Sequence, residues 1–203
     1  MQGRPRTSVV RKLREADEGM TKVNHPIAKV RALQRALYVA AKRNGQRRFH
    51  ALYDRMTRED VLQLAWQQVR RNQGAAGIDA ETLQAVEAYG AERMLAELRE
   101  LLVAGRYRPR AVRRVYIPKP GKPQERRPLG IPRVRDRVVQ TAAKLVLEPI
   151  FEASFRDCSY GFRPKRNAHQ ALERMRKEIN AGARWVVDVD SPTSSAASII
   201  SFS

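Results

Sequence analysis

The sequence has almost no cysteine and few histidines, which excludes two common ways of stabilising a small fold. Cys158 is the single cysteine among 203 residues, so neither an internal disulfide nor a cysteine-based zinc site can form. A lone thiol fits a reducing cytoplasm, and we interpret Cys158 as an ordinary small side chain. The three histidines, His25, His50 and His169, lack the spacing of zinc ligands.

Long apolar runs are also missing. No stretch approaches the length of a membrane span, and the basic N-terminus is not followed by the apolar segment of a signal peptide. We therefore expect a cytoplasmic protein with no membrane partner. The hydrophobic fraction of 42% is nevertheless enough for a core, which excludes a disordered basic tail.

Acidic residues are scarce relative to basic ones. Forty lysines and arginines face 21 acids, giving a formal net charge of +19. This excess favours a polyanionic partner, with nucleic acid ahead of an anionic membrane surface, because phosphate contacts release counterions. The charge is concentrated in residues 106–137, where twelve lysines and arginines accompany only Glu125 and Asp136.

Apolar residues recurring at helical spacing predict five α-helices, over residues 27–42, 57–72, 91–104, 134–148 and 167–180. We expect three residues to mark helix ends: Thr57 as an N-cap, Gly105 after a C-terminus and Pro149 as a stop. The expected buried stripes include Leu101, Leu172, Met175 and Ile179.

The basic region between two of these helices predicts a β-hairpin. Residues 113–118 and 126–132 have the pattern of strands, and residues 119–123 that of a turn; the prolines favour edge strands. Cations from both arms would meet at one place, as a triphosphate or a nucleic-acid backbone requires. A solvated basic face is the simpler interpretation. Helices and hairpin together predict the α+β class.

Two loops carry further candidate residues. The loop 73–79 contains Gly74 and Gly77, which permit positive φ and close backbone approach, although a plain connection would look the same. The loop 159–164 carries two aromatics and Arg163, a combination suited to stacking on bases. The alternative is that its aromatics belong to a core.

A short β-branched strand, residues 184–190, ends in acidic residues. Asp188 and Asp190 alternate with apolar neighbours and would share one face. Carboxylates delivered in this way can hold Mg²⁺ for phosphoryl transfer. A half-buried strand with solvated acids is the simpler interpretation.

Five sequence blocks, in this order, resemble the N-terminal half of a bacterial group II intron reverse transcriptase/maturase. They are R-N-Q-G-A-A-G-I-D at 71–79, Y-R-P-R-A-V-R-R-V-Y-I-P-K-P at 107–120, R-P-L-G-I-P-R-V-R-D-R-V-V-Q at 127–140, C-S-Y-G-F-R-P-K-R-N-A-H at 158–169 and R-W-V-V-D-V-D at 184–190. The resemblance covers about residues 25–190. It implies the fingers and palm of a right-hand polymerase that copies RNA into DNA and helps its intron RNA fold and splice.

The resemblance also implies roles for individual residues. Asp190 matches the first catalytic, metal-binding aspartate of the palm, for which Mg²⁺ is the expected ion. Lys119 and Arg127 match cations that contact the phosphates of the incoming deoxynucleotide triphosphate. The remaining matches fall in blocks expected to lie against template, primer or phosphate; they are Arg113, Arg114, Arg163, Gly74 and Gly77.

The polar and basic composition of residues 1–20 predicts a mobile arm. For the rest of the chain we expect an N-terminal helical region (21–72), the fingers (73–183), the first palm strand (184–190) and an aberrant tail (191–203). The family continues after its aspartate as D-x-x-x-F-F, whereas this tail has no charged residue. A one-base frameshift after Asp190 would explain the difference, leaving a truncated reverse transcriptase.

Two-metal catalysis needs carboxylates from more than one strand, and the sequence contains no adjacent pair of aspartates. We therefore expect the 203 residues alone to lack polymerase activity, and the palm strand to lack sheet partners. The alternative is a non-enzymatic RNA-binding module that assists folding of the intron. A ribosome-associated or general DNA-binding protein would explain the charge but not the five blocks.

Overall fold

The computed structural model describes residues 26–188 and 198–201. In chain order the elements are α1 (Pro26–Arg43), α2 (Leu52–Met56), α3 (Glu59–Arg71), α4 (Leu83–Tyr89), α5 (Ala91–Val103), β1 (Arg113–Lys119), β2 (Lys122–Ile131), α6 (Val134–Ser154), α7 (Ala168–Asn180), β3 (Trp185–Asp188) and β4 (Ser198–Ser201). The α+β class is confirmed. The chain divides into two units, before and after the Ser154–Phe155 bond. The segment boundaries expected from the sequence stay predictions.

Five helices of the first unit pack around one hydrophobic core. The predicted stripes on α1, α3, α5 and α6 supply most of it, and its fully buried side chains include Val30, Leu62, Met94, Leu98 and Val138. Helix α4, which the sequence analysis did not predict, adds Leu83 and Val86. It is only seven residues long, too short for a clear apolar period, but the Thr82 side chain caps it by accepting from the Ala85 N–H at 3.1 Å.

The expectation that Thr57 caps a helix is wrong. Its hydroxyl donates to the Asp54 carbonyl at 3.2 Å, and its N–H closes the end of α2 on the Tyr53 carbonyl. The N-cap of α3 is Arg58, whose guanidinium forms a bidentate pair with Asp60 at 3.0 and 2.7 Å. The Thr57 hydroxyl therefore bonds to a carbonyl of the preceding helix α2 and does not cap α3.

The end of α5 follows its sequence signal. Gly105 has φ +65°, its N–H bonds the Leu102 carbonyl at 3.0 Å, and the next N–H reaches Leu101 at 2.9 Å. This is a Schellman ending, which glycine favours because it carries no Cβ. Burial of Leu101 is a wrong prediction: the side chain is 37% exposed, because the core covers the adjacent stripe that ends at Leu102.

The expectation that Pro149 stops its helix is also wrong, because α6 continues through it to Ser154. Proline has no N–H, so the carbonyl of Leu145, four residues earlier, loses its helical partner. The Gln34 side chain of α1 donates to that carbonyl at 3.0 Å. Near the end of α6, Lys42 donates to the Ala153 carbonyl at 3.3 Å. Helix α1 thus supplies bonds that α6 lacks.

The predicted hairpin is present. Strands β1 and β2 are antiparallel, with Arg113 opposite Ile131 and Ile117 opposite Arg127. The register shifts after Pro118, and Gly121 turns the chain with φ +73°. Almost every residue of the hairpin is exposed.

In the second unit, α7 begins with a capping box between Asn167 and Gln170. Its apolar stripe was expected to be buried, and this is wrong: Leu172 is 61% exposed, and Met175 and Ile179 are exposed too. Helical period shows that a face is apolar but not that another element of the chain covers it. Strand β3 pairs antiparallel with β4, so the expectation that it lacks a partner is wrong as well.

None of the helices in the described ranges combines the length and the apolar character that crossing a bilayer requires.

We predict that Gln34 stabilises α6 only because Pro149 is there. Gln34→Met keeps the side-chain length but leaves the Leu145 carbonyl without a donor, and should lower the free energy of unfolding by about 1–2 kcal/mol. In a Pro149→Ala background the restored backbone N–H takes over, and the same change should cost under about 0.5 kcal/mol. Urea denaturation of the four chains checks this. Gln63→Met, which removes only an exposed bond to Glu59, is the control.

Candidate nucleic-acid interface

The hairpin presents cations that have no acidic partner. Arg113, Arg114, Arg126 and Arg127 are exposed, and within the described part of the chain none of them forms an ion pair. Tyr116 lies between them along β1 and is also exposed. These side chains are open to a polyanion from solvent.

The register places these arginines on both faces of the hairpin. Directly opposite residues share a face, so Arg113 and Arg127 lie with Val115 and Ile117. Arg114 and Arg126 lie on the other face, with Tyr116. The two arginines of each face are four residues apart along the strands, about 13 Å. Each face thus carries one arginine from each strand, but the expectation that cations from both arms meet at one place is wrong, because alternation divides them between two faces.

The lysines at the tip of the hairpin are paired. Glu125 accepts from Lys119 at 2.6 Å and lies 3.2 Å from the Lys122 ammonium. Hydrogen bonds from these two lysines lower the pKa of Glu125. The two predicted nucleotide contacts therefore differ in their ion pairing. Lys119 pairs with Glu125, whereas Arg127 forms no ion pair within the described residues.

The base of the hairpin is attached to α6 through one buried carboxylate. Asp136, only 3% exposed, accepts from the Tyr107 hydroxyl, from Arg133 Nε at 3.0 Å and Nη2 at 3.2 Å, and from the Arg110 N–H at 3.4 Å. Tyr107 and Arg110 belong to the segment that leads into β1, whereas Arg133 directly precedes α6. This aspartate therefore joins both ends of the hairpin.

The titration of this cluster follows from its contacts. Burial would raise the pKa of Asp136, but the hydrogen bonds from Arg133 and Tyr107 outweigh burial and lower it. Burial, followed by the bond to Asp136, raises the pKa of Tyr107. This cluster was not predicted from the sequence, although Asp136 is one of only two acids among the twelve cations of residues 106–137.

The glycine loop packs on the start of α6. A Cβ on Gly77 would lie 2.7 Å from Arg133 Cα and 2.8 Å from its nitrogen, so no larger residue fits. Gly74 lies against the Arg137 guanidinium, where a Cβ would be 1.9 Å from Nη1. Both glycines thus allow the loop backbone to approach Arg133 and Arg137 closely. Neither has a positive φ, which occurs in this loop at Gln73 and just after it at Ala80.

Arg137 holds this loop in place. Its Nη2 donates to the Ala75 carbonyl at 2.7 Å, while its Nε is buried without a partner among the described residues. Burial lowers the pKa of Arg137. Arg133 adds a contact of 3.8 Å to Asp79 at the end of the loop. The loop and the hairpin base therefore share the first turn of α6 as their support.

In the second unit, Arg163 organises its own loop. Its Nη1 donates to the carbonyls of Arg156 and Ser159, both at 2.7 Å, and its guanidinium lies 5.0 Å from the Phe155 ring centre. Phe162, by contrast, is fully exposed with φ +55°, so it is not a core residue. Tyr160 is partly buried, with Arg166 5.4 Å from its ring centre.

The predicted metal site lies mostly beyond the described residues. Asp190 falls outside them, as does the side chain of Asp188. Within residues 26–188 and 198–201, no three acidic, histidine or cysteine side chains come together to hold a metal ion. The Mg²⁺ site expected at Asp190 therefore stays a prediction.

The sequence is similar to a group II intron-encoded protein and to a second bacterial protein. It is 38% identical over 144 residues to the group II intron-encoded protein LtrA of Lactococcus lactis, covering 70% of this chain and 23% of that protein. It is 41% identical over 121 residues to the protein YkfC of Escherichia coli, covering 58% and 30%.

A shorter region is similar to a plant protein. Over 59 residues, 29% of this chain and 8% of the relative, the identity with nuclear intron maturase 1 of Arabidopsis thaliana mitochondria is 42%. No family model matches the chain. The chain thus spans less than a third of the length of each of these relatives.

We predict that Asp136→Asn lowers the free energy of unfolding by about 3 kcal/mol at neutral pH, because Arg133, whose side chain is mostly shielded from solvent, loses its nearest counter-charge. The folded-state pKa is depressed, so the contribution of the carboxylate is present above the unfolded pKa of about 3.9 and is lost as the pH falls below it. The difference between wild type and variant should therefore narrow in acid. Tyr107→Phe should cost about 1 kcal/mol, and Tyr116→Phe almost nothing; equal effects would contradict the assignment.

A second prediction concerns the glycine loop. Gly77→Ala should destabilise the fold by about 2 kcal/mol, since the added methyl overlaps the Arg133 backbone. Gly45→Ala is the matched control: nothing lies within 4 Å of its Cβ position, and the change should be neutral or slightly stabilising. Thermal unfolding followed by circular dichroism measures both. Equal melting temperatures for the two variants would show that the close contact is not needed.

Proposed function

Because the chain belongs to the family of group II intron-encoded proteins, we propose that it binds intron RNA and that the hairpin is its main contact surface. The observation that carries this proposal is the set of four exposed arginines on β1 and β2 that have no acidic partner among the described residues. Guanidinium groups pair with phosphate oxygens in a bidentate manner, so such a set attracts a nucleic-acid backbone.

Cations on both faces favour a particular mode of binding. A hairpin with arginines on one face only could lie flat against a phosphate backbone. With about 13 Å between the arginines of each face, this hairpin can instead insert between two backbone segments and contact phosphates on both sides. Folded RNA, in which strands approach each other closely, offers that geometry.

We further propose that the hairpin and the glycine loop form the fingers of a right-hand polymerase, in which Lys119 and Arg127 receive the phosphates of a deoxynucleotide triphosphate. Glu125 holds the Lys119 ammonium close to the hairpin tip in the absence of nucleotide. A bound triphosphate would compete with this carboxylate, whereas Arg127 has no such competitor. The same proposal includes Asp190 as a ligand of Mg²⁺. Asp190 lies outside the described residues.

A second candidate is a non-enzymatic RNA-binding module. The observation that favours it is the set of exposed arginines on both faces of the hairpin, which can contact RNA phosphates without any reaction. Equilibrium binding of a labelled deoxynucleotide triphosphate separates the two candidates. Fingers should bind it, and Arg127→Ala should weaken this binding more than Arg113→Ala. A module without nucleotide binding would show neither effect.

We predict that Arg114→Gln combined with Arg126→Gln weakens RNA binding and flattens its salt dependence. Each lost phosphate contact should reduce the slope of log K against log salt by about 0.7–0.9, so the pair should reduce it by about 1.5. Fluorescence anisotropy with a folded intron RNA, over a range of potassium chloride concentrations, measures the slope.

The control removes the same charge from another element. Arg174 and Arg176 on α7 pair with Glu178 and Glu173 at 2.6 and 2.8 Å. Arg174→Gln with Arg176→Gln should leave the slope nearly unchanged. If both double variants lower it equally, net charge rather than the hairpin determines binding, and the proposal fails.

A further inference from the structure

An apolar groove lies along α1, on the side that faces residues 47–58. It has a volume of about 780 Å³. Its floor consists of small and aliphatic side chains with one aromatic ring, namely Ala32, Leu33, Ala36, Leu37, Phe49 and Leu52. The alanines of α1 that line it run from Ala28 to Ala40, about 18 Å along the helix axis. We call this feature the α1 groove.

The rim of the α1 groove is basic. Lys29, Arg47, Arg48 and Arg55 line it, and no acidic residue does. None of these four forms an ion pair within residues 26–188 and 198–201. Arg58, at one end, is the exception, since Asp60 pairs with it at 2.7 Å. An apolar floor bordered by unpaired cations is a different chemical surface from the hairpin.

The apolar floor and the basic rim together indicate what kind of molecule can bind in the α1 groove. A phosphodiester backbone has no apolar side to cover alanines and leucines, and the Arg47 guanidinium, 5.6 Å from the centre of the Phe49 ring, already lies over one face of that ring. A second copy of this chain would bring another +19 charges to the basic rim. An amphipathic helix with acidic flanks satisfies both the floor and the rim.

We propose that the α1 groove docks an acidic amphipathic α-helix from a partner protein. The small alanines let the axes of the two helices approach closely, and apolar side chains of the partner fill the space between α1 and Phe49. Glutamates or aspartates along both edges of the partner helix pair with the four rim cations. This site is separate from the hairpin and does not depend on RNA binding.

The test uses a synthetic amphipathic helix of about 18 residues, the length of α1, with leucines on one face and glutamates on the other. A scrambled peptide of the same composition is the first control. Fluorescence anisotropy at physiological salt should show binding of the amphipathic peptide, and scrambling should weaken it about tenfold or more. Equal binding of both peptides would overturn the proposal.

Ala36→Arg separates docking in the groove from general charge attraction. It fills the floor at an exposed helical position while adding a positive charge, so docking should weaken about tenfold although attraction of acidic peptides increases. Ala88→Arg on α4 adds the same charge away from the groove and should leave binding unchanged or slightly tighter. A peptide that binds Ala36→Arg as well as wild type would overturn the proposal.

Two further measurements on the same variants test whether RNA or a second copy of this chain binds in the groove instead. Ala36→Arg should leave the affinity for intron RNA unchanged or increased, and should not alter the sedimentation coefficient. A loss of RNA affinity would assign the groove to RNA, and a change in association state would assign it to a second copy; either result would overturn the proposal. The hairpin variant Arg114→Gln/Arg126→Gln should bind the peptide as wild type does.

Discussion

The ion cluster at Asp136 is the interaction on which the outer parts of the first unit depend. A hairpin with almost no buried residues cannot be held in place by hydrophobic packing, so its orientation must come from its two ends. Asp136 binds the segment before β1 through Tyr107 and Arg110, and the segment after β2 through Arg133. The glycine loop rests on the same turn of α6. Asp136 and Arg137, both on the first turn of α6, therefore position the hairpin and the glycine loop relative to the helical core.

The core itself depends on α6 remaining a single helix. Proline at position 149 removes one backbone bond from it, and α1 compensates through Gln34. This arrangement explains why the sequence misleads at that point: proline is a local signal of helix termination, whereas the compensating donor lies 111 residues away along the chain. The prediction that Thr57 caps α3 failed for a similar reason, because its hydroxyl bonds to a carbonyl of the neighbouring helix α2.

The sequence predicted what depends on local pattern and missed what depends on distant partners. The five long helices, the hairpin and the Schellman glycine follow from periodicity and turn chemistry, and the structure contains them. Burial of Leu172 was wrong because a helical period identifies an apolar face without its cover. The roles of Asp136 and Arg137 could not be read from their neighbours, since their partners include Tyr107 and Ala75 in other segments. For the candidate site, the sequence located the cations, but only the strand register distributes Arg113 and Arg114 to opposite faces.

Two surfaces of the first unit carry exposed cations that form no ion pair within the described residues, and the chemistry of these surfaces differs in a way that charge alone does not reveal. On the hairpin the arginines project from an exposed ribbon, where guanidinium groups can reach phosphates from both sides. Around the α1 groove the cations border alanine and leucine side chains. Removing these side chains from water is favourable, whereas contact with a phosphate group stabilises the complex little. A polyanion with a uniformly polar surface therefore prefers the hairpin, whereas an acidic chain with an apolar face prefers the groove. The +19 charge can in this way serve two partners without competition between them.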